Sequence, residues 1–294
     1  YYSQLDWYRD DYFPRGRTGN GITGRGEGDW NDYIEFMKAQ LTELLTNYGE
    51  IGGIWFDGQW DQHEWDGKRF GKLKADFKLT EVYELIHKLQ PQALIGSNHH
   101  LSPNPGEDFQ MFEKDLPGKG TKDFATSADD IGNLPLEVCE TINGSWGFNL
   151  KDRKHKSEKE LVQYLVKAAG YGSNLLLNVG PMPNGKIQDE HIESLKKIGK
   201  WVKQNGQTIY NTKRGPISPS DEIASTQDGN IVYIHLLDNN KSEYFIEGFK
   251  SKFKNISYLD SNKKVSYKKT KTGLHLILDK KEINSIDTIL IMEL

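Results

Sequence analysis

Apolar residues recur along the first two thirds of the chain in two alternating patterns. Tyr33, Phe36, Met37, Leu41, Leu44 and Leu45 fall at helical spacing between Asp29 and Tyr48, and Gly49 stands at the stop, so a helix is predicted there. Next comes a short apolar run, Ile51 to Phe56, cut off by Asp57 and Gly58. A run of this length bounded by glycine predicts a strand buried on both faces, the kind found in parallel sheets. The alternation continues with helices predicted over Leu79–Gln90, Ser157–Gly170 and Asp189–Asn205, and strands over Ala93–Asn98, Leu136–Ile142 and Asn174–Val179. Tyr1 to Leu5 reads as the end of one more strand. Between these elements lie a loop from Asp6 to Gly28, a charged insertion from Asp61 to Lys78 and a loop from Pro103 to Lys122.

Strands alternating with helices predict βα units and a parallel sheet. The count is about five strands, where a closed (β/α)₈ barrel needs eight. The expected architecture is therefore a partial (β/α)₈-like, TIM-type barrel over residues 1–210. The short strand count, and an opening that reads as a strand end, lead to the expectation that the N-terminal part of a longer protein is absent. After Tyr210 the helical period disappears. Short alternating runs take over at Ile231–Leu237, Tyr244–Ile246, Ile256–Leu259, Leu274–Leu278 and Thr288–Leu294, separated by turn residues. These predict a small antiparallel β-sandwich over residues 211–294. The lysine-rich stretch Lys263–Lys271 reads as a solvated strand face and turn.

Composition narrows the function classes. With 294 residues, 36% hydrophobic and 27% charged, the chain has the makings of a globular protein. A net charge of −4 and a pI of 6.1 argue against a nucleic-acid surface. No apolar run approaches a membrane span. The single cysteine, Cys139, excludes an internal disulfide. Seven tryptophans fit sugar binding, because aromatic faces stack on sugar C–H faces.

Candidate chemistry gathers at the C-terminal ends of the predicted strands, where parallel barrels do their work. Asp57 has two readings there: a catalytic carboxylate, or a cap of the following turn with Gly58 supplying φ > 0. His99, His100, Glu107, Asp108, Glu113, Glu137, Glu140 and Trp146 occupy neighbouring strand ends or the loops after them. A crown of carboxylates with aromatics points to glycoside hydrolysis, which needs two carboxyl groups. Sequence alone does not choose the pair. No H-x-x-x-H or C-x-x-C spacing marks a metal site, and adjacent His99 and His100 point to opposite faces of a strand. Gly19-Asn-Gly-Ile-Thr-Gly24 is a formal dinucleotide motif, but it sits deep in a polar loop rather than between strand and helix.

Ile54-Trp-Phe-Asp-Gly58 resembles the nucleophile motif of the α-L-fucosidases of glycoside hydrolase family 29. Tyr1-Tyr-Ser with Asp6-Trp7, Gly106-Glu-Asp-Phe-Gln-Met-Phe-Glu113, Glu137-Val-Cys139, Ser145-Trp-Gly-Phe148 and Asn174-Leu-Leu-Leu-Asn-Val-Gly180 are similar to further motifs of that family, in its order. The resemblance covers essentially the whole chain.

It implies a retaining exo-α-L-fucosidase with Asp57 as nucleophile and Glu113 as acid/base, Glu137 being the second choice. It further implies that Trp146 packs on the fucose methyl face and that Tyr2 lies near the nucleophile, with Tyr1 taking that place if the register slips. Trp60 is expected at the pocket mouth, and His99 and His100 on the acceptor side. The implied partner is a fucosylated oligosaccharide or glycoconjugate, with neither cofactor nor metal, and export is expected from the resemblance. Two other readings remain: a catalytically inactive fucose-binding fragment, and a barrel glycosidase for another sugar. Asn143-Gly-Ser145 and Asn255-Ile-Ser257 match the glycosylation sequon.

Overall fold

The computed structural model describes residues 1–19, 21–22, 24–65, 70–119 and 131–294. Asn20 and Thr23 of the Gly19–Gly24 motif, residues 66–69 of the charged insertion and residues 120–122 of the Pro103 loop lie outside the described residues. The chain divides into two units, Tyr1–Val138 and Cys139–Leu294.

The first unit runs through β1 (Tyr2–Ser3), α1 (Trp30–Asn47), β2 (Gly53–Asp57), α2 (Gln59–Gln62), β3 (His63–Trp65), β4 (Phe70–Leu73), α3 (Leu79–Leu89), β5 (Leu94–Asn98) and β6 (Gln110–Glu113). The division between the units falls within β7 (Leu136–Thr141). α1 starts where the Asp29 carboxylate accepts the Asn31 backbone N–H, satisfying one of the donors a helix start leaves open. Its stripe of Tyr33, Ile34, Met37, Leu41 and Leu45 is buried, whereas Leu44, at the stripe's edge, is exposed.

β1, β2 and β5 form a parallel sheet in the order β1-β2-β5. Ile54 and Phe56 of β2 join Ile95 of β5 and the α1 and α3 residues in one apolar cluster. Burying a side chain of this size contributes about 1.5–3 kcal/mol. Trp55 and Asp57 alternate onto the other face and are only half-buried. β2 is thus apolar on one face and chemical on the other, not buried on both faces as its short apolar run predicts.

Two segments carry more structure than their composition predicts. The Pro103–Lys122 loop contains β6, anchored by buried Met111 and Phe112. The charged insertion begins inside α2 and holds the antiparallel β3–β4 pair.

In the second unit, α4 (Glu158–Gly170), β8 (Ser173–Asn178) and α5 (Asp189–Asn205) precede an antiparallel region. α4 opens on a capping box: Ser157 Oγ accepts the Glu160 N–H, and the Glu160 carboxylate accepts the Ser157 N–H. The remaining strands are β9 (Lys213–Arg214), β10 (Ile223–Asp228), β11 (Ile231–Leu236), β12 (Glu243–Glu247), β13 (Asn255–Tyr258), β14 (Ser266–Lys269), β15 (Gly273–Ile277) and β16 (Thr288–Glu293). They form two antiparallel sheets, β13-β16-β11-β10-β9 and β12-β15-β14.

Strand alternation in β11 serves two cores. Val232, Ile234 and Leu236 meet Tyr244, Ile246, Leu274 and Leu276 of the smaller sheet. Tyr233 turns the other way, toward Val162 and Val166 of α4 and Trp201 of α5. β14 is exposed throughout, as its lysines require. No helix among the described residues is long and apolar enough to cross a membrane.

Candidate active site

Asp57 is the last residue of β2, and the parallel register sets it level with Ser3 of β1 and Asn98 of β5. Gly58 follows at φ 109, a left-handed conformation that suits glycine, and a Cβ there would meet Leu5 Cγ at 2.9 Å. The chain turns away at once and leaves the carboxylate at the strand end. Asp57 Oδ2 accepts the Tyr1 hydroxyl at 2.6 Å. Its Oδ1 accepts the Trp60 indole N–H at 2.9 Å and the Asn98 amide at 3.4 Å. All three donors are uncharged side chains. No backbone N–H of the following turn reaches the carboxylate among the described residues, so a turn cap does not describe it.

Asn98 ties this carboxylate to a second one. The same amide nitrogen donates to Glu113 Oε2 at 2.7 Å. Glu113 ends β6, so two strand ends and one amide assemble the pair. His100 Nε2 lies 3.8 Å from Glu113 Oε2. Burial, then the positive potential of His99 and Arg17, pushes the His100 pKa down to about 3. The imidazole is therefore neutral at ordinary pH, and this contact is not an ion pair. His100 is held at φ 63, in the left-handed region.

Glu137, the other acid/base candidate, lies on β7, where its Oε1 accepts the Trp55 indole N–H at 3.0 Å. Trp55 shares the face of Asp57 two residues along β2, and Tyr1 stacks on it with ring centroids 5.4 Å apart. Burial, then the hydrogen bond to Asp57, raises the Tyr1 phenol's pKa, so the hydroxyl remains a donor.

The remaining sequence candidates separate by partner. Tyr2, expected beside the nucleophile, turns to the opposite face. Its hydroxyl donates to Gln40 Oε1 at 2.7 Å and its ring packs edge-on against Phe56. Burial, then Asp6, pushes its pKa up to about 12. Tyr1 is the one whose hydroxyl reaches Asp57, because neighbours along a strand face opposite ways. Trp60, whose indole N–H reaches Asp57, has Arg17 Nε donating to its carbonyl at 3.2 Å and the Arg17 guanidinium 5.4 Å from its ring centroid.

His99, expected on the acceptor side, is buried in a structural network instead. Its Nδ1 accepts the Leu101 N–H at 3.1 Å, which leaves Nε2 to donate to Glu107 at 2.9 Å. Tyr83 and Asn104 also donate to Glu107. Asp108 is taken up by His87 and the Ile95 N–H, and Glu140 by Lys156 and the Thr141 N–H. Asp57 and Glu113 share the Asn98 amide, and Glu137 is tied to the Asp57 face of β2 through Trp55.

Trp146 lies in the second unit, on a loop closed by the Ser145 hydroxyl donating to Asp152 at 2.7 Å. Its carbonyl accepts the Asn178 amide at 2.7 Å and its side chain is partly exposed. Gly180 lies beneath this loop: a Cβ there would stand 2.6 Å from the backbone of Gly147 and Phe148. Among the described residues no three His, Cys, Asp or Glu side chains cluster to hold a metal. Sequence reasoning missed Asn98 and Trp55. Their signal was positional, since each lies at or near a strand end on the face of a singled-out residue.

Comparison with known proteins places the chain in a family. The family model described as alpha-L-fucosidase matches residues 1–207. The chain is 26% identical to an alpha-L-fucosidase of Dictyostelium discoideum over 223 residues, 72% of this chain and 42% of that protein. It is 34% identical to a tissue alpha-L-fucosidase of Bos taurus over 245 residues, 81% of this chain and 46% of that protein. The chain thus spans less than half the length of these curated relatives.

Among solved structures, alpha-L-fucosidase isoenzyme 1 from Paenibacillus thiaminolyticus superimposes with a TM-score of 0.74 at 28% identity, covering 100% of this chain and 70% of that one. The Thermotoga maritima alpha-fucosidase in complex with fucose does so at 0.65 and 23% identity, covering 89% of this chain and 56% of that one, a likeness of fold alone. With the family model matched over residues 1–207, the chain belongs to the α-L-fucosidase family, a family of glycoside hydrolases.

Proposed function

We propose that this chain carries the catalytic pair of a retaining exo-α-L-fucosidase. The observation that carries the reading is the Asn98 amide shared between Asp57 and Glu113. Its two bond lengths cap the separation of the nearest carboxylate oxygens at about 6 Å, a limit that admits the spacing of retaining pairs (about 5–5.5 Å) and lies below that of inverting ones (about 6.5–9.5 Å). Asp57 attacks the anomeric carbon of a terminal α-L-fucosyl residue as Glu113 gives its proton to the departing glycosidic oxygen. A covalent glycosyl-enzyme forms. Glu113 then takes a proton from water as that water displaces Asp57. Glu137, spaced from Asp57 by Trp55 and Tyr1, orients the indole. Trp60 stands at the pocket mouth, and Trp146 is assigned to the sugar's apolar face.

In this reading residues 1–210 are the C-terminal portion of a (β/α)₈ barrel and residues 211–294 a β-sandwich. The parallel order β1-β2-β5 and the two antiparallel sheets around one core support it. The substrate is a fucosylated oligosaccharide or glycoconjugate.

An aryl α-L-fucoside assay tests the proposal. Wild type is expected to release α-L-fucose first, seen by proton NMR. Asp57→Asn abolishes turnover, and Glu113→Ala accumulates glycosyl-enzyme that azide discharges. First release of the β anomer, or azide rescue of Glu137→Ala instead, overturns the assignment. A second reading is fucose binding without turnover. Wild type that binds L-fucose yet leaves every aryl fucoside intact would establish it.

A further inference from the structure

Within the second unit, the last turns of α5 meet the first residue of α4 and two turns of the antiparallel region around a cleft of about 510 Å³. That volume lies inside the range of roughly 300–1,000 Å³ typical of small-ligand pockets. Glu158, Lys200, Trp201, Gln204, Asp260 and Ser285 line it.

Trp201 is fixed from behind, packed with Val162, Val166, Ala224 and Tyr233. It is 6% exposed, and its indole N–H, which is not sealed off, meets no acceptor among the described residues. The side chains of Glu158, Lys200, Gln204, Asp260 and Ser285 likewise make no hydrogen bond or ion pair among the described residues. The cleft therefore gathers an ammonium, an indole N–H, two carboxylates, an amide and a hydroxyl, all unspent.

Charge and donor pattern restrict the occupant. Two carboxylates against one ammonium repel phosphates and acidic sugars. The ammonium within the same cleft opposes a bound metal ion. Little apolar surface is present to hold a lipid or an aromatic ligand. Interleaved donors and acceptors match groups that both give and take hydrogen bonds, as each sugar hydroxyl does. Bonds from hydroxyls to charged partners are the stronger kind. We infer that this cleft binds a neutral oligosaccharide through Trp201, Lys200 and the Glu158 and Asp260 carboxylates. The inference is independent of the hydrolase reading, because the cleft shares no residue with Asp57 and its partners.

The test titrates the full chain with lactose, N-acetyllactosamine and maltotriose, in saturating L-fucose, by tryptophan fluorescence and calorimetry. At least one of these neutral sugars is expected to bind saturably. Binding is expected to survive Asp57→Asn and to weaken about tenfold or more in the Lys200→Ala, Asp260→Ala double variant, one lost charged hydrogen bond being worth that much. Both altered positions are exposed, so circular dichroism should report an unchanged fold. Gln204→Trp, which fills the cleft, is a second variant expected to abolish binding. The inference is overturned if no sugar of the three binds, if the double variant binds as wild type does, or if 3′-sialyllactose binds more tightly than lactose. Saturable binding by a chain that hydrolyses no fucoside would sink the hydrolase proposal and leave this one standing.

Discussion

His100 offers a quantitative test of the site's electrostatics. Its side chain is buried and its pKa falls from 6.5 to about 3. The folded state therefore binds the imidazole proton less well than the unfolded chain does. A depressed histidine contributes no destabilisation above pH 6.5, and the penalty grows as pH falls from 6.5 toward 3. At pH 4.5 the unfolded imidazole is protonated and the folded one is not. Two pH units, each worth somewhat over ~1 kcal/mol, put the loss at about 3 kcal/mol relative to pH 7.5.

His100→Asn removes the titration and keeps a residue that tolerates the local φ of 63. Urea unfolding at pH 7.5 and 4.5 is the assay. Wild type is expected to lose about 2–3 kcal/mol more than the variant over this interval. His63 and His191, also lowered by burial, act in the same direction but are common to both proteins and cancel in the difference. Parallel pH dependences in the two proteins would show that His100 is not buried as a neutral imidazole.

Two further outcomes follow from the site's supports. Asn98→Ala removes the shared donor, and the loss of a hydrogen bond to a charged group, about 1.5–3 kcal/mol, is expected to lower kcat/KM on an aryl fucoside roughly 10- to 150-fold; an unchanged kcat/KM would remove Asn98 from the site. Gly180→Ala drives a methyl into the Gly147–Phe148 backbone and is expected to cost about 1–3 kcal/mol in urea unfolding; wild-type stability would mean that the Trp146 loop does not rest there.

The order of helices and strands was legible because periodicity records burial directly. α1, α3, α4 and α5 each bury one stripe, and each stands out in sequence. β6 was not legible, because four residues with two apolar side chains in a polar stretch give no period to read. The face of β2 was misjudged for a related reason. Trp55 counts as apolar in a run, yet its indole N–H reaches Glu137 across the chemical face. Motifs singled out Asp57, Glu113 and Trp60, and the structure brings Trp60 and the Glu113 partner Asn98 to Asp57. Asn98 stayed hidden because only the β2–β5 register sets it opposite Asp57. The Tyr1–Tyr2 choice needed the strand's phase, which two residues cannot supply.

The three donors around Asp57 have one more consequence. Tyr1, Trp60 and Asn98 hold the carboxylate with neutral hydrogen bonds. Mobile ions screen interactions between net charges over about 8–10 Å, but they leave short dipolar contacts nearly untouched. The aim of this carboxylate is therefore set by groups that added salt does not weaken. A strand-end carboxylate held by an arginine or lysine would lose orientation as ionic strength rises. In this site ionic strength acts on how charged partners approach, not on where Asp57 points.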